Sequence, residues 1–163
     1  MTIHNADFQL SDLLETVRSQ MEKQVADKGL TFEITSSPDM PTTLKGDSRR
    51  LQQVLLNLIG NAAKFTVKGG IGLRVYRINE SHWGFQVTDT GPGVPPEAQA
   101  FIFESFRQVE GVTTREHGGI GLGLAIVKSL VGLMGGEVAL SSVVGQGTAF
   151  TVSLRFEPPK EKS

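Results

Sequence analysis

Asn57, Asn61 and Lys64 stand four and three residues apart, and on a helix turning 100° per residue they fall within about a 60° arc. Two amides and an ammonium then share one edge. Amide oxygens can ligate Mg²⁺ and a lysine can meet phosphate charge, so this edge suits a hard-cation and phosphate site. The plain alternative is a solvated helix face. Asparagine is a poor helix former, however, and two of them at i,i+4 in mid-helix call for a reason. A second candidate is Asp89-Thr90-Gly91-Pro92-Gly93. Read alone it is a turn. Read as chemistry, the carboxylate accepts a hydrogen bond from a buried base amine while the glycine backbone lies against the ring. Such a bond is worth about 1.5–3 kcal/mol because the acceptor is charged, a preference of roughly 10- to 100-fold.

The strongest local signal is Gly118-Gly119-Ile120-Gly121-Leu122-Gly123-Leu124. Alternating glycines leave backbone N–H groups uncovered and run into a predicted helix N-terminus, where partial positive charge favours phosphate. The spacing is neither Gly-x-Gly-x-x-Gly nor a Gly-Lys-Ser/Thr loop. Close packing of helix on sheet would explain one or two of these glycines but not four.

The elements that must hold these groups are legible from periodicity. Leu13, Leu14, Val17, Met21 and Val25 predict a helix over 11–28, with Asp12 and Glu15 as a capping box and Gly29 as its stop. Leu30, Phe32 and Ile34 alternate as on a half-buried strand. Asp47 caps a second predicted helix to about Lys64, with Leu51, Val54, Leu55, Leu58, Ile59 and Ala62 as its core stripe. Strands at 71–77 and 83–89 form a hairpin around Asn79 and Glu80, placing Asp89 at a strand end. Pro95 and Pro96 open a short helix through Phe103. Residues 107–118 have no period and read as a mobile loop. A further helix starts near Gly121 and ends before Gly135-Gly136, and strands at 137–143 and 148–156 flank the turn Gly145-Gln146-Gly147. The tail from 158 to 163 is expected to fray. This order predicts an α+β fold, a two-layer sandwich with a mostly antiparallel sheet.

Composition bounds the partners. The 163 residues suit one domain, and 39% hydrophobic with 20% charged residues is ordinary for a globular chain. A net charge of -1 leaves no footprint for nucleic acid, and no polybasic run marks a membrane surface. No apolar stretch approaches the roughly 20 residues of a membrane span. Zero cysteines exclude disulfides and thiolate zinc, and they fit a reducing compartment.

Taken in order, the motifs resemble the catalytic ATP-binding domain of bacterial sensor histidine kinases, in the superfamily shared with gyrase-type and heat-shock-chaperone ATPases. The stretch from Leu51 through Asn57, Asn61, Lys64 and Phe65 to Thr66 looks like the N box, and Asp89 to Gly93 like the first glycine box. Ile102 to Phe106 looks like the F box, Gly119 to Leu124 like the second glycine box, and Gly145-Gln146-Gly147-Thr148 like the last. The resemblance covers about Asp7 to Phe156. It implies a Bergerat-type sandwich, a mixed sheet on three main helices, with 107–118 as an ATP lid and residues 1–163 as one domain.

By that resemblance, Asp89 receives the adenine amine with Thr148 nearby through water, and Phe65 packs near the base. Asn61 holds Mg²⁺ with help from Asn57, and Lys64 meets the phosphates; Asn57 and Lys64 are the expected catalytic pair. Gly91, Gly93, Val94, Gly119, Gly121, Leu122, Gly123 and Leu124 complete the nucleotide contacts. Phe103 and Phe106 are lid anchors or plain core aromatics. Ile120 departs from the Thr or Ser common in the family and removes a side-chain hydroxyl there. The hydrolysing members carry a glutamate where Asn57 stands, and an amide cannot act as a general base.

His4, His82 and His117 are the only histidines, and none sits in the family's His-Glu/Asp-x-Arg/Lys-x-Pro setting. The expectation is therefore a catalytic half: it binds Mg-ATP and phosphorylates a histidine on a separate dimerisation domain, which serves a response regulator. Asp7 to Leu10 resembles the family's first strand, just past the helical hairpin. The isolated domain is expected to be a cytoplasmic monomer, excised from a parent that could be membrane-anchored. Two alternatives stay open: a self-contained gyrase-like ATPase, and a nucleotide- or partner-binding module without chemistry.

Overall fold

A computed structural model describes residues 2–99 and 123–159. Along these the chain runs β1 (Ala6–Gln9), α1 (Leu10–Asp27), β2 (Thr31–Ser36), β3 (Thr43–Gly46), α2 (Ser48–Phe65), β4 (Gly70–Arg77), β5 (His82–Asp89), α3 (Pro96–Gln99), a helix over 123–133 (α4), β6 (Glu137–Val143) and β7 (Gly147–Arg155). The expected lid at 107–118, Phe103, Phe106, His117, Gly119, Ile120, Gly121 and Leu122 lie outside the described residues.

Five strands form one mixed sheet in the order β2-β4-β5-β7-β6, while β1 and β3 make a separate antiparallel ribbon. Only β2 against β4 is parallel within that sheet. Alternation along the strands turns Ile71, Leu73, Val75, Trp83, Phe85, Val87, Phe150, Val152 and Leu154 to one face. That face meets the apolar stripes of α1 (Leu13, Val17, Met21, Val25), α2 (Leu51, Val54, Leu55, Leu58, Ile59, Ala62) and α4 (Leu124, Val127, Leu130, Val131) in one core. Each large apolar side chain buried there contributes roughly 1.5–3 kcal/mol relative to exposure. The core begins earlier than residue 7, since Ile3 belongs to it. The tail is tied at its start, with Pro159 O accepting from Asn5 Nδ2 at 2.9 Å.

The helix ends explain where α2 is held. α1 does not open on the predicted capping box. Gln9, the last residue of β1, is the N-cap with no side-chain bond, and Asp12 lies within the first turn. The buried Leu10 pulls the start forward, and its N–H is satisfied by Thr42 O at 2.9 Å. The stop at Gly29 is as predicted: φ is +72°, and Gly29 N and Leu30 N donate to Ala26 O and Val25 O. At the start of α2, Asp47 is 5% exposed. Its Oδ1 accepts from Arg50 N at 3.2 Å and its Oδ2 from His4 N at 2.7 Å. No glycine ends α2; instead the Lys28 ammonium, arriving from the end of α1, donates to Ala63 O and to Lys64 O.

Candidate functional site

α2 carries Asn57, Asn61, Lys64 and Phe65 on its last turns, and the chain then leaves through Thr66, an extended C-cap. The start of α4 lies against this edge: a Cβ built on Gly123 would stand 3.4 Å from Asn61 Nδ2 and 4.0 Å from Asn57 Cγ. The Nδ2 atoms of Asn57 and Asn61 are buried without a hydrogen-bond partner among the described residues. Buried polar atoms are normally paired, so both are poised for something added. Lys64 is exposed, with its ammonium 5.5 Å from the Phe65 ring centroid. Leu124 is 1% exposed, so its side chain belongs to the core and not to the site.

Asp89 ends β5, in register with Thr148 on β7. Burial pushes its carboxyl above the usual aspartate range, while backbone N–H groups of Gly91 and Thr148 pull it back. The Gly91 bond is 2.8 Å. A Cβ at 91 would lie 2.9 Å from Asp89 Oδ1 and 3.1 Å from Thr66 Oγ1, so the strand end and the C-cap of α2 both pack against Gly91, with no room for a side chain there. Gly93 has φ +79° and no room for a side chain, since its Cβ would meet Val143 O at 2.4 Å.

Hydrogen bonds lace the 91–94 segment to the β6–β7 turn. Ser142 Oγ accepts from Val94 N at 2.7 Å, donates to Gly147 O at 3.0 Å and touches Thr148 Oγ1 at 2.9 Å. Gly145 N donates to Pro92 O at 2.9 Å. The fold thus gathers Asn57, Asn61 and Gly123 at one end of the site, and Asp89, Gly91, Gly93, Val94 and Thr148 at the other, with α2 running between them. Thr66 closes the N-box stretch, whereas Ser142 carries no motif signal, being one of two serines on an edge strand.

Residues 46–158 match the family described as histidine kinase-, DNA gyrase B-, and HSP90-like ATPase. The chain is 39% identical over 163 residues to hybrid signal transduction histidine kinase D of Dictyostelium discoideum, covering 97% of this chain and 10% of that protein. It is 36% identical over 161 residues to signal transduction histidine-protein kinase BarA of Escherichia coli K12, covering 96% of this chain and 18% of that protein. Full-length ShkA in complex with AMPPNP superimposes with a TM-score of 0.82 at 39% identity, over 94% of this chain and 31% of that one. The chain therefore spans a fifth or less of the curated relatives named here.

Proposed function

Because this chain belongs to the histidine kinase-, DNA gyrase B- and HSP90-like ATPase family and matches histidine kinases over nearly its whole length, we propose that it binds Mg-ATP and supplies the γ-phosphate to a histidine on a separate dimerisation domain. The observation that carries the reading is the pair of buried amide nitrogens, Nδ2 of Asn57 and of Asn61, unpartnered among the described residues and facing the start of α4. Groups taken out of water without partners cost free energy unless a ligand completes them.

Asp89 reads the base. Its carboxylate, held by Gly91 N, accepts from the exocyclic amine. Lys64, one turn beyond the amides on the exposed side, meets phosphate charge, and the backbone around Gly123 lies beside both amides. Among the described residues no three acidic, histidine or cysteine side chains form a metal cluster. An amide oxygen from Asn61, with Asn57 beside it, suits Mg²⁺ that arrives on the phosphates, since this ion takes few protein ligands. When bound, it would neutralise charge on the transferring group.

An amide at 57 cannot take a proton from water, which favours transfer to a partner's nucleophile over hydrolysis. The bond that forms joins phosphorus to an imidazole nitrogen, and ADP leaves. The product would pass its phosphoryl group to a response regulator. An ATP requirement favours a cytoplasmic setting for the domain.

The test is transfer from γ-labelled ATP to an added dimerisation domain bearing the acceptor histidine. Label on histidine is expected, lost in the Asn61→Ala variant. Steady phosphate release by the chain alone, with no label on any acceptor domain offered, would instead support the self-contained ATPase.

A further inference from the structure

Lys28 caps α1, and the main chain fixes its position: its N–H reaches Val25 O at 3.2 Å, Gly29 reverses the chain at φ +72°, and Leu30 is buried directly after. From that root the ammonium crosses to the end of α2 and donates to Ala63 O and, at 3.0 Å, to Lys64 O. The last main-chain return into α2 is Thr66 N to Ala62 O at 3.0 Å, and the chain then leaves extended. No following N–H among the described residues serves Ala63 or Lys64, so their carbonyls are the open acceptors of a helix end. Lysines close to a helix C-terminus satisfy such carbonyls, drawn also by the partial negative charge there. Lys64 is itself in that last turn, yet it does not take them. Its ammonium makes no hydrogen bond or ion pair among the described residues; it is exposed, 5.5 Å from the Phe65 ring centroid.

We propose that Lys28 is a positioning residue for triphosphate binding: by occupying the two open carbonyls, it keeps the Lys64 side chain from folding back onto its own helix end and leaves that ammonium free for phosphate. The inference rests on the nucleotide reading and adds to it a residue that touches no ligand. Without Lys28 the acceptors fall to water or to Lys64. An arriving phosphate would then have to free the ammonium first, and affinity drops by the fraction of chains in which Lys64 is engaged.

The test is a double-mutant cycle on Mg-ATP affinity, measured by calorimetric titration of the whole chain at a temperature where each variant is folded. Lys28→Met keeps the apolar stem and removes the donor; it is expected to weaken Mg-ATP binding roughly three- to tenfold. Lys28→Arg should restore most of that affinity. In a Lys64→Met background the same Lys28→Met change should weaken binding no further, an outcome that neither a general loss of stability nor a direct pull of the Lys28 charge on phosphate would give. Equal weakening in both backgrounds overturns the proposal, and so does unchanged affinity of Lys28→Met. Low-temperature NMR of the lysine ammonium groups needs no variant: in the free chain Lys28 should be protected from exchange with water and Lys64 should not, and the reverse pattern overturns the proposal too. An unaltered chain that bound no Mg-ATP would bring down the nucleotide reading as well, whereas firm binding with an additive cycle would remove this inference alone.

Discussion

Asp89 carries a charge that its burial makes costly to the folded protein. Burial raises its carboxyl above the ordinary aspartate value, against the pull of the Gly91 and Thr148 N–H groups. Between the unfolded and the raised folded value the native chain holds the extra proton, so stability declines as pH rises through that window, and the cost is fully present above it. The Asp89→Asn variant is expected to lose this decline, seen as urea midpoints followed across acidic pH, while ATP affinity drops about 10- to 100-fold. ATP binding by the native chain should weaken as pH falls through the raised value, and binding by the variant should not. Asp89 was legible in the sequence because a carboxylate before Gly-x-Gly concentrates its chemistry locally. Ser142 was not, because what it holds is decided by what the topology sets against it: Val94, Gly147 and Thr148.

At the scale of elements, α2 is fixed at both ends by borrowed groups. Asp47 takes His4 N as well as Arg50 N at its start, and Lys28 covers Ala63 O and Lys64 O at its finish. Lys28→Met keeps most of the apolar stem and removes the donor. It should lower unfolding free energy by about 1 kcal/mol and speed amide exchange at 64–66 ahead of the sheet. An unchanged midpoint with unchanged exchange would mean the ammonium contributes nothing as a cap. The buried stripes of α1 and α2 follow the sequence periodicity closely, because one apolar face on a 3.6-residue repeat leaves little choice. The start of α1 did not follow local rules. Asp12 and Glu15 have the spacing of a capping box, but the burial of Leu10 and its bond to Thr42 O, 32 residues on, decide the boundary.

Across the whole molecule, the candidate site draws on α2, the end of β5, the β6–β7 turn and the start of α4, so a nucleotide bound as proposed would tie together segments from residue 57 to residue 148. Saturating Mg-ATP at a hundred times its dissociation constant should therefore add about 2.7 kcal/mol. For a chain of this size that is roughly a 5–10 °C rise in the thermal midpoint. GTP should give much less, and a rise independent of the base would argue against recognition at Asp89. The parallel pairing of β2 with β4 is the part of this plan that alternation could not announce, since a strand's pattern records which face is buried and not which neighbour it takes. α1 is fastened to the β1–β3 ribbon through Leu10 and to the far end of α2 through Lys28. One helix thus joins the ribbon at the first strand to the turn bearing Lys64 and Phe65, so shortening it would unfasten both ends of that span together.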